Sequence, residues 1–246
     1  MSFNKDRIAE ILGNYGLFPE VITLPVTGST NDVARSLSME KNIPYLVAAD
    51  QQTRGKGSHG RSFYSPDETG FYLSFTIPEA DPNIQMTLAA GVAVCDAIQE
   101  VCGIGTAVKW VNDIRYRGKK AGGILCERFP NGAVVVGIGI NLKTPEGGFP
   151  SEISETAGAL DTDPGLASDL AAAIYRSYLG MMERPEEILP RYKEKCETLG
   201  NEVKYLADGK EHFGKAVDIE EDGSLLIQEN GTVRRFSSGE ISVRNV

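Results

Sequence analysis

The loop over residues 51–63, QQTRGKGSHGRSF, combines glycines and cations in a way that suits the binding of an anion. Gly55, Gly57 and Gly60 give the spacing G-x-G-x-x-G. Three cations lie among them: Arg54, Lys56 and Arg61. Glycine allows a backbone to approach a ligand closely, and cations bind phosphate or carboxylate groups. The loop is therefore a candidate anion-binding loop, and the alternative is a flexible surface loop without a ligand.

Sequence context excludes the familiar uses of this glycine spacing. A dinucleotide-binding loop opens a helix, but here Pro66 and Gly70 precede a strand-like run, FYLSFTI, over residues 71–77. The sequence also lacks the H-R-D and D-F-G motifs of a protein kinase and the P-loop string G-x-x-x-x-G-K-[ST]. The ligand of the loop must therefore be inferred from the rest of the chain.

A second positive segment lies at residues 109–120, where five lysines and arginines accompany one acid, Asp113. Together with residues 54–61 it carries a net charge of +7, in a chain whose total charge is −9. Lys109 precedes the only tryptophan on an apolar strand, where an unpaired ammonium group would be costly. We expect both segments to act on one anionic ligand, and two solvated loops are the alternative.

Helices and strands that would position these segments are indicated by caps, periodicity and turn residues. We predict helices over residues 4–12, with Asn4 as N-cap, and over 83–102, which is apolar nearly all round. The run STNDVARSLSME predicts a helix capped by Ser29 or Thr30. Asn131-Gly132 predicts a hairpin, and residues 164–199 predict two helices separated near Pro185.

The texture of the sequence changes after Gly200. Short strand-like runs there are separated by three turn pairs: Asp208-Gly209, Asp222-Gly223 and Asn230-Gly231. Regular turns of this kind predict a small β-barrel of about SH3 size. We therefore expect an α+β domain over residues 1–199 and an all-β domain over residues 200–246.

Composition limits the classes of function. The chain has 246 residues, is 41% hydrophobic and contains no apolar run long enough for a membrane span. Its first residues do not form a signal peptide, and its four cysteines form no C-x-x-C pair, so we expect a cytoplasmic protein without a zinc site or disulfide framework. The net charge of −9 argues against a general nucleic-acid coat.

Taken together, the motifs resemble those of the biotin–protein ligases. The resemblance rests on five segments: GSTNDVAR (28–35), QTRGKGSHGRSF (52–63), KWVNDIRYRGKKAGGIL (109–125), VVVGIGINL (134–142) and GEISVR (239–244). It implies an α+β fold, with a mixed-sheet catalytic domain of the biotin/lipoate ligase type and a C-terminal SH3-like barrel. It also implies ATP-dependent activation of biotin to biotinyl-5'-AMP, assisted by Mg²⁺, and transfer of biotin to one lysine of a biotin carboxyl carrier protein.

The resemblance assigns roles to individual residues. The positions that it implies for biotin binding are Ser29, Thr30, Asn31, Gln52, Gly55, Lys56, Gly57, Ser58, Lys120 and Gly122. Those that it implies for nucleotide binding are Arg61, Phe63, Lys109, Trp110, Asn112, Asp113 and Asn141. Lys120, Lys109 and Arg61 are the implied catalytic cations, and Asp113 is the candidate for orienting Mg²⁺. The alternatives are a helix cap for Ser29 or Thr30, core packing for Phe63 and surface charge for the lysines.

The sequence departs from the family pattern at several ligand-facing positions. Lys56 replaces the usual arginine and Phe63 the usual tryptophan, while Ser58 and His59 stand where basic residues are frequent. Lysine cannot form the bidentate fork of arginine, so this loop is expected to hold an anion less tightly.

Rival functions and partners are open at this point. A lipoate–protein ligase would use the same carboxylate chemistry, and a non-catalytic relative would bind biotin or an acceptor without turnover. A binding module built around residues 200–246 would leave residues 28–142 unexplained. Some members carry an N-terminal DNA-binding domain, but only 27 residues precede Gly28, so DNA binding is not expected. A homodimer paired through a sheet edge is a further possibility, and no membrane partner is expected.

Overall fold

The computed structural model describes residues 3–81, 85–207, 209–237 and 243–245. Two sheets organise the chain, one of seven strands and one of five. Helices pack against the larger sheet, which mixes parallel and antiparallel pairs, so the predicted α+β class is confirmed. No helix within the described residues is long and apolar enough to cross a membrane.

The larger sheet has the strand order β1-β2-β3-β7-β6-β5-β4. Its strands in chain order are β1 Glu20–Thr27, β2 Tyr45–Gln52, β3 Gly70–Ile77, β4 Ala107–Lys109, β5 Asp113–Tyr116, β6 Lys119–Arg128 and β7 Val134–Asn141. Only β1 and β2 are parallel, and every other neighbouring pair is antiparallel. The sheet therefore brings β2, which leads into the glycine loop, within one strand of β7.

The helices follow the predicted positions closely. They are α1 Lys5–Gly13, α2 Thr30–Glu40, α3 Met86–Cys102, α4 Ala167–Met182 and α5 Pro185–Lys195. Asn4 caps α1 by accepting from the backbone N–H of Arg7 at 2.9 Å. Ser29 holds the N-cap position of α2, although its side chain makes no cap hydrogen bond. Residues 83 and 84, the start of the third predicted helix, lie outside the described residues.

The two faces of the larger sheet have different coverings. Because side chains alternate along a strand, Val134, Val136, Ile138 and Ile140 of β7 join the main core under the helices. Val135 points the other way, into a smaller cluster with residues of α2 and β2. Position 137 and the other odd-numbered positions of β7 lie on that second face. Among the described residues, α2 is the helix that packs on this second face, and a cavity can form on the part of the sheet beyond it.

The β6–β7 hairpin closes at Asn131-Gly132, as predicted. Gly132 has a φ of +84°, which an L-residue other than glycine adopts only with strain. The Asn131 side chain accepts from the backbone N–H of Ala133 at 3.2 Å. The turn fixes the register that pairs Gly123 with Gly139 and Glu127 with Val135, so these four residues share one face.

The smaller sheet has the order β11-β10-β9-β8-β12 and is antiparallel throughout. Its strands are β8 Glu202–Ala207, β9 Lys210–Ile219, β10 Leu225–Glu229, β11 Thr232–Phe236 and β12 Val243–Asn245. The predicted turns at Asp222-Gly223 and Asn230-Gly231 contain glycines with positive φ. Asp208 of the third predicted turn and residues 239–242 of the C-terminal motif lie outside the described residues. The C-terminal all-β unit is confirmed.

One polar cluster in the smaller sheet predicts a pH-dependent stability. Glu229 accepts from Tyr205 Oη at 2.9 Å and pairs with His212 Nδ1 at 3.1 Å. The hydrogen bond with His212 is the main reason that the pKa of Glu229 lies below its ordinary value of 4.5. A lowered folded-state pKa stabilises the fold above the unfolded-state pKa, and this contribution is lost as pH falls through the folded-state pKa.

Glu229→Gln is therefore expected to lower the melting temperature by a few degrees at pH 7. The difference from the natural protein should shrink as the pH falls below about 4.5, the ordinary value for this group. Thermal unfolding followed between pH 7 and pH 3 measures this, with the exposed Glu202→Gln on the same sheet as control. A difference that stayed constant over this range would contradict the assignment.

Candidate active site

A cavity of about 470 Å³ opens on the second face of the larger sheet. That volume is in the range of small-molecule sites. Its walls come from the start of α2, the end of β2, the glycine loop, β5, β6 and β7. The two positive segments identified in the sequence therefore meet at one cavity, because Lys56 and Arg61 line it together with Lys109 and Lys120.

Glycines on β6 and β7 form the floor of the cavity. A Cβ on Gly139 would lie 2.5 Å from the ring of Phe63, and a Cβ on Gly137 would overlap the side-chain amide of Asn31. On β6, a Cβ on Gly123 would lie 3.5 Å from Lys120 Nζ. These positions have no side chain, so that Asn31, Phe63 and Lys120 can lie directly over the sheet.

Polar side chains occupy the end of the cavity nearest α2. Gln52 Oε1 accepts from the backbone N–H of Thr30 at 2.8 Å, and Ser74 Oγ lies 2.7 Å from Thr30 Oγ1. Asn31 Nδ2 donates to Glu127 at 2.8 Å. Ser29, Thr30 and Asn31 are each at most 5% exposed, and the side chains of Thr30 and Asn31 are held by hydrogen bonds within the protein. This end suits a neutral ligand group that has both donors and acceptors.

The opposite end of the cavity is cationic. Lys120 Nζ lies 2.5 Å from Asp113 Oδ1, and Lys109 Nζ lies 3.8 Å from the other carboxylate oxygen of Asp113. Arg115 pairs with Glu197 at 2.8 Å. Counted over the described residues, five cations and two acids line the cavity, which gives it a net charge of +3. An excess of this sign in a cavity favours a phosphate or carboxylate.

The cations of the glycine loop make contacts within the loop or with α2. Lys56 forms an ion pair with Asp32, near the start of α2. The Arg61 guanidinium donates to Ser58 O at 3.2 Å and to Ser58 Oγ at 3.1 Å. The loop is tied at its base, where Phe63 N donates to Gly55 O at 2.9 Å. These contacts place both cations at the mouth of the cavity.

Residues 149–157 form a wall of the cavity that sequence reasoning missed. Phe149, Ile153, Thr156 and Ala157 all line it. The backbone N–H of Lys120 donates to Thr156 O at 2.8 Å, and Lys120 O accepts from Gly158 N at 2.8 Å. The segment therefore fixes the backbone of Lys120 from outside the sheet. Its sequence has no motif, and the apolar Phe149 and Ile153 in a loop were the only available signal.

The residues of the cavity do not fit a metal ion held by protein ligands alone. Both carboxylates that line it in the described part of the chain, Asp113 and Glu197, are already ion-paired with lysine or arginine. No group of three or more His, Cys, Asp or Glu positioned for a metal occurs among the described residues. The expected role of Asp113 in orienting Mg²⁺ finds no supporting ligand here, and we assign no step to a metal.

Cysteine chemistry has no place at this site. Burial raises the pKa of Cys95 to about 11, and burial is also the main reason that the pKa of Cys196 is raised. Neither thiol forms the reactive thiolate at neutral pH. The cavity can bind and orient an activated ligand, but it is not built for covalent catalysis through these cysteines.

The structure places most of the predicted site residues at the cavity. Those that line it are Ser29, Thr30, Asn31, Gln52, Lys56, Gly57, Ser58, Arg61, Phe63, Lys109, Asn112, Asp113, Lys120 and Asn141. Two amides among them support backbone: Asn112 Nδ2 donates to Ile124 O and Asn141 Nδ2 to Gly158 O, both at 2.8 Å. The remaining three predicted residues, Gly55, Gly122 and Trp110, do not line it.

Physical reasons explain each of these three exceptions. Gly122 and Gly123 are consecutive on β6, so they face opposite sides, and a Cβ on Gly122 would meet Ile114 and Ile140 of the helix-side core. Gly55 packs against the base of its own loop, where a Cβ would lie 2.5 Å from Phe63 O. Trp110 is buried and donates through Nε1 to Gly223 O at 3.0 Å, which joins the two sheets.

Trp110→Phe tests this structural position of the indole. The substitution removes the donor to the Gly223 carbonyl, so we expect the free energy of unfolding to fall by about 1–3 kcal/mol. The KM for the nucleotide that the sequence resemblance implies should change less than about threefold, because the ring lies outside the cavity. Chemical denaturation and steady-state kinetics measure the two effects. A large rise in that KM with unchanged stability would show instead that Trp110 contacts the nucleotide.

Comparison with known proteins identifies the class of this site. The model of the Biotin/lipoate A/B protein ligase family matches residues 23–144, and that of the Biotin protein ligase C terminal domain matches residues 198–244. The chain is 30% identical to the Bifunctional ligase/repressor BirA of Bacillus subtilis (strain 168), over 95% of this chain and 75% of that protein. It is 29% identical to the Biotin--[acetyl-CoA-carboxylase] ligase of Mycobacterium tuberculosis, over 87% of this chain and 85% of that protein.

Solved structures agree with the sequence matches. The biotin protein ligase of Aquifex aeolicus in complex with biotin and ATP superposes with a TM-score of 0.77 at 31% identity, covering 93% of this chain and all of that one. The chain belongs to the biotin protein ligase family. The family resemblance and the fold drawn from the sequence motifs are therefore confirmed.

Proposed function

We propose that the protein activates biotin with ATP and then transfers biotin to one lysine of a biotin carboxyl carrier domain. One observation gives the strongest support to this proposal. The cations Lys109 and Lys120 and the hydrogen-bonding side chains of Thr30, Asn31 and Gln52 line a single cavity of about 470 Å³. Biotin has a carboxylate at one end and a cyclic urea at the other, so its two ends match the two ends of the cavity.

The first step joins two anions. A biotin carboxylate oxygen attacks the α-phosphorus of ATP, the bond from that phosphorus to the β-phosphate bridging oxygen breaks, and pyrophosphate leaves. Lys120, which can exchange its partner Asp113 for the ligand, and Lys109 beside it offset the charge of the two reactants and of the transition state. Arg61 and Lys56 at the mouth add positive charge over the nucleotide.

The second step needs no enzyme nucleophile. The neutral amine of the acceptor lysine attacks the acyl carbon of biotinyl-5'-AMP and AMP leaves with the electron pair of the broken acyl–oxygen bond. The amine nitrogen loses one proton to solvent as the amide forms. The protein contributes by holding the mixed anhydride in one orientation and away from water. Phe63 lies over the glycines of the sheet, where it can cover the nucleotide base, and residues 149–157 close the adjacent wall.

The roles of the remaining residues extend this proposal. Ser29, Thr30, Asn31 and Gln52 bind the urea ring, and Asn112 and Asn141 shape the nucleotide side by holding neighbouring backbone. We also propose a catalytic domain at residues 1–199 and an SH3-like domain at 200–246. The positive φ of Gly200, at +80°, and the start of the C-terminal family match at residue 198 support that division.

Several finer expectations stay predictions. They are Mg²⁺ bound with the phosphates of ATP, a homodimer, the lack of DNA binding and a cytoplasmic location. The four cysteines are free in the structure, and free thiols are typical of a reducing compartment.

An ATP-dependent transfer assay tests the proposal directly. The protein is incubated with ATP, biotin and a carrier domain, and the mass of the carrier is followed by mass spectrometry. We expect one biotin per carrier and one pyrophosphate per biotin. A carrier modified by lipoate in a parallel reaction, with no modification by biotin, would favour the lipoate ligase alternative, and no modification by either acid would refute the proposal.

A further inference from the structure

A row of hydrogen-bonding side chains runs along the uncharged end of the cavity, from Glu127 on β6 to Gln52 on β2. Asn31 Nδ2 lies 2.8 Å from Glu127 Oε2, and Asn31 Oδ1 lies 2.6 Å from Ser74 Oγ. Ser74 Oγ lies 2.7 Å from Thr30 Oγ1, which in turn lies 3.1 Å from Gln52 Oε1. Glu127 and Ser74 do not line the cavity, whereas the other three members do.

Both ends of the row have a fixed orientation. Glu127 as a carboxylate only accepts, so the Asn31 amide must turn its nitrogen to Glu127 and its oxygen to Ser74. At the far end, the backbone N–H of Thr30 only donates, and it points at Gln52 Oε1 from 2.8 Å. The nitrogen of Gln52 donates to Ser65 Oγ at 3.1 Å, which agrees with the same orientation.

The row has fewer hydroxyl hydrogens than oxygen–oxygen contacts. Three oxygen–oxygen contacts join Asn31, Ser74, Thr30 and Gln52, but the two hydroxyl groups supply only two hydrogens. Ser74 donates to Asn31 across 2.6 Å. Because Ser74 has only one hydrogen, we infer that Thr30 supplies the hydrogen of its 2.7 Å contact with Ser74. The contact between Thr30 Oγ1 and Gln52 Oε1 is the longest of the three, at 3.1 Å. We infer that it is the one left without a hydrogen, because the Thr30 hydrogen goes to Ser74.

We propose that Glu127 is a positioning residue that selects a ligand with N–H donors. Glu127 fixes the Asn31 amide, and the hydroxyl hydrogens of Ser74 and Thr30 therefore both point along the row toward Glu127. Two acceptor oxygens, Thr30 Oγ1 and Gln52 Oε1, are left free to accept from the ligand. An N–H group of a cyclic urea satisfies those oxygens, whereas the dithiolane ring of lipoate has no donor to offer. The inference rests on the proposed function. It explains why the enzyme would prefer biotin to lipoate.

Glu127→Gln tests this directionality with little change in shape. A glutamine can donate to Asn31 Oδ1, so the Asn31 amide can reverse and donate to Ser74, and each hydroxyl then donates one place further along. Every contact of the row then gains a hydrogen. Gln52 Oε1 accepts from both the backbone N–H and the hydroxyl of Thr30 and is closed to the ligand, and one of the two lone pairs of Thr30 Oγ1 accepts from Ser74. We expect the KM for biotin to rise about tenfold, the loss of about one hydrogen bond.

The KM for ATP and the kcat at saturating biotin should stay within about twofold of the natural values. Biotin-dependent pyrophosphate release measures all three parameters, and Glu221→Gln, an exposed glutamate in a turn of the smaller sheet, is the matched control. A loss of folding would instead show in thermal unfolding and would lower kcat by reducing the active fraction.

Ser74→Ala interrupts the row at a second point and provides an independent check. Without Ser74, the Thr30 hydroxyl donates to Gln52 Oε1, which closes that acceptor to the ligand, and the KM for biotin should again rise about tenfold. Both substitutions act on the same acceptor, Gln52 Oε1. The KM for biotin of the double variant should therefore be no higher than about that of the poorer single variant. Multiplied effects, or a biotin KM within twofold of the natural value in Glu127→Gln, would overturn the proposal. Absence of pyrophosphate release in the natural protein would refute the proposed function itself.

Discussion

Lys120→Ala is expected to reduce biotin-dependent pyrophosphate release by about 100- to 1,000-fold, the usual loss when one preorganised charge is removed from a transition state. Lys120 lines the cavity with its Nζ 2.5 Å from Asp113 Oδ1 and close to the floor glycine Gly123. Lys109 Nζ lies 3.8 Å from the same carboxylate. Because it already holds its own position there, Lys109 cannot also take the position of Lys120 in the variant. Single-turnover measurement of pyrophosphate with saturating ATP and biotin gives the effect on the chemical step.

The matched control is Lys143→Ala, an exposed lysine two residues beyond Asn141 that does not line the cavity. It removes the same charge from the protein, so a general electrostatic effect would appear in both variants. Stability should hardly change in Lys120→Ala, because a partly exposed ion pair contributes at most about 1 kcal/mol. Activity within fivefold of the natural protein would mean that another group neutralises the reacting anions.

Much of the site follows from short-range sequence signals. The cap residues before α2, the glycine loop after β2 and the lysine-rich hairpin of β5 and β6 each combine a turn or cap with functional side chains. Such elements bring their residues to the surface at predictable points. The excess of positive charge in residues 54–61 and 109–120 also predicted that these two segments share one ligand. Lys56 and Lys120, 64 positions apart in the chain, line the same cavity.

Long-range packing accounts for what the sequence could not predict. The wall formed by residues 149–157 depends on backbone hydrogen bonds to Lys120, which leave no trace in side-chain patterns. Trp110 belongs to a motif of polar neighbours, yet its hydrogen bond goes to a carbonyl 113 residues away. Strand alternation alone would place Gly122 on the same face as Lys120, which lies two residues before it. The register shift in the pairing of β5 with β6, between Ile114 and Arg115, puts Gly123 instead on the side of Lys120 Nζ.

The floor glycines supply the second large expected effect. In Gly137→Ala the new methyl group overlaps the Asn31 carboxamide, which Glu127 and Ser74 hold from two sides at 2.8 Å and 2.6 Å. Asn31 cannot move without breaking one of these hydrogen bonds. We expect biotin to bind about 100-fold more weakly, because two or three hydrogen bonds of about 1 kcal/mol depend on this side chain. The free energy of unfolding should fall by about 1–3 kcal/mol, as is usual for an overpacked site.

Gly180→Ala makes the same chemical change where space is available. Gly180 lies in α4, and a Cβ there would have no atom within 4 Å, so the methyl group should stabilise the helix by about 0.5–1 kcal/mol. The two variants therefore have stability changes of opposite sign, and only the first is expected to lose biotin. Isothermal titration with biotin and denaturant unfolding measure both quantities. If Asn31 is fixed, Gly137→Ala should not bind biotin within threefold of the natural protein. Binding within threefold would mean that Asn31 is free to move, and it would contradict the fixed amide orientation on which the proposed role of Glu127 depends.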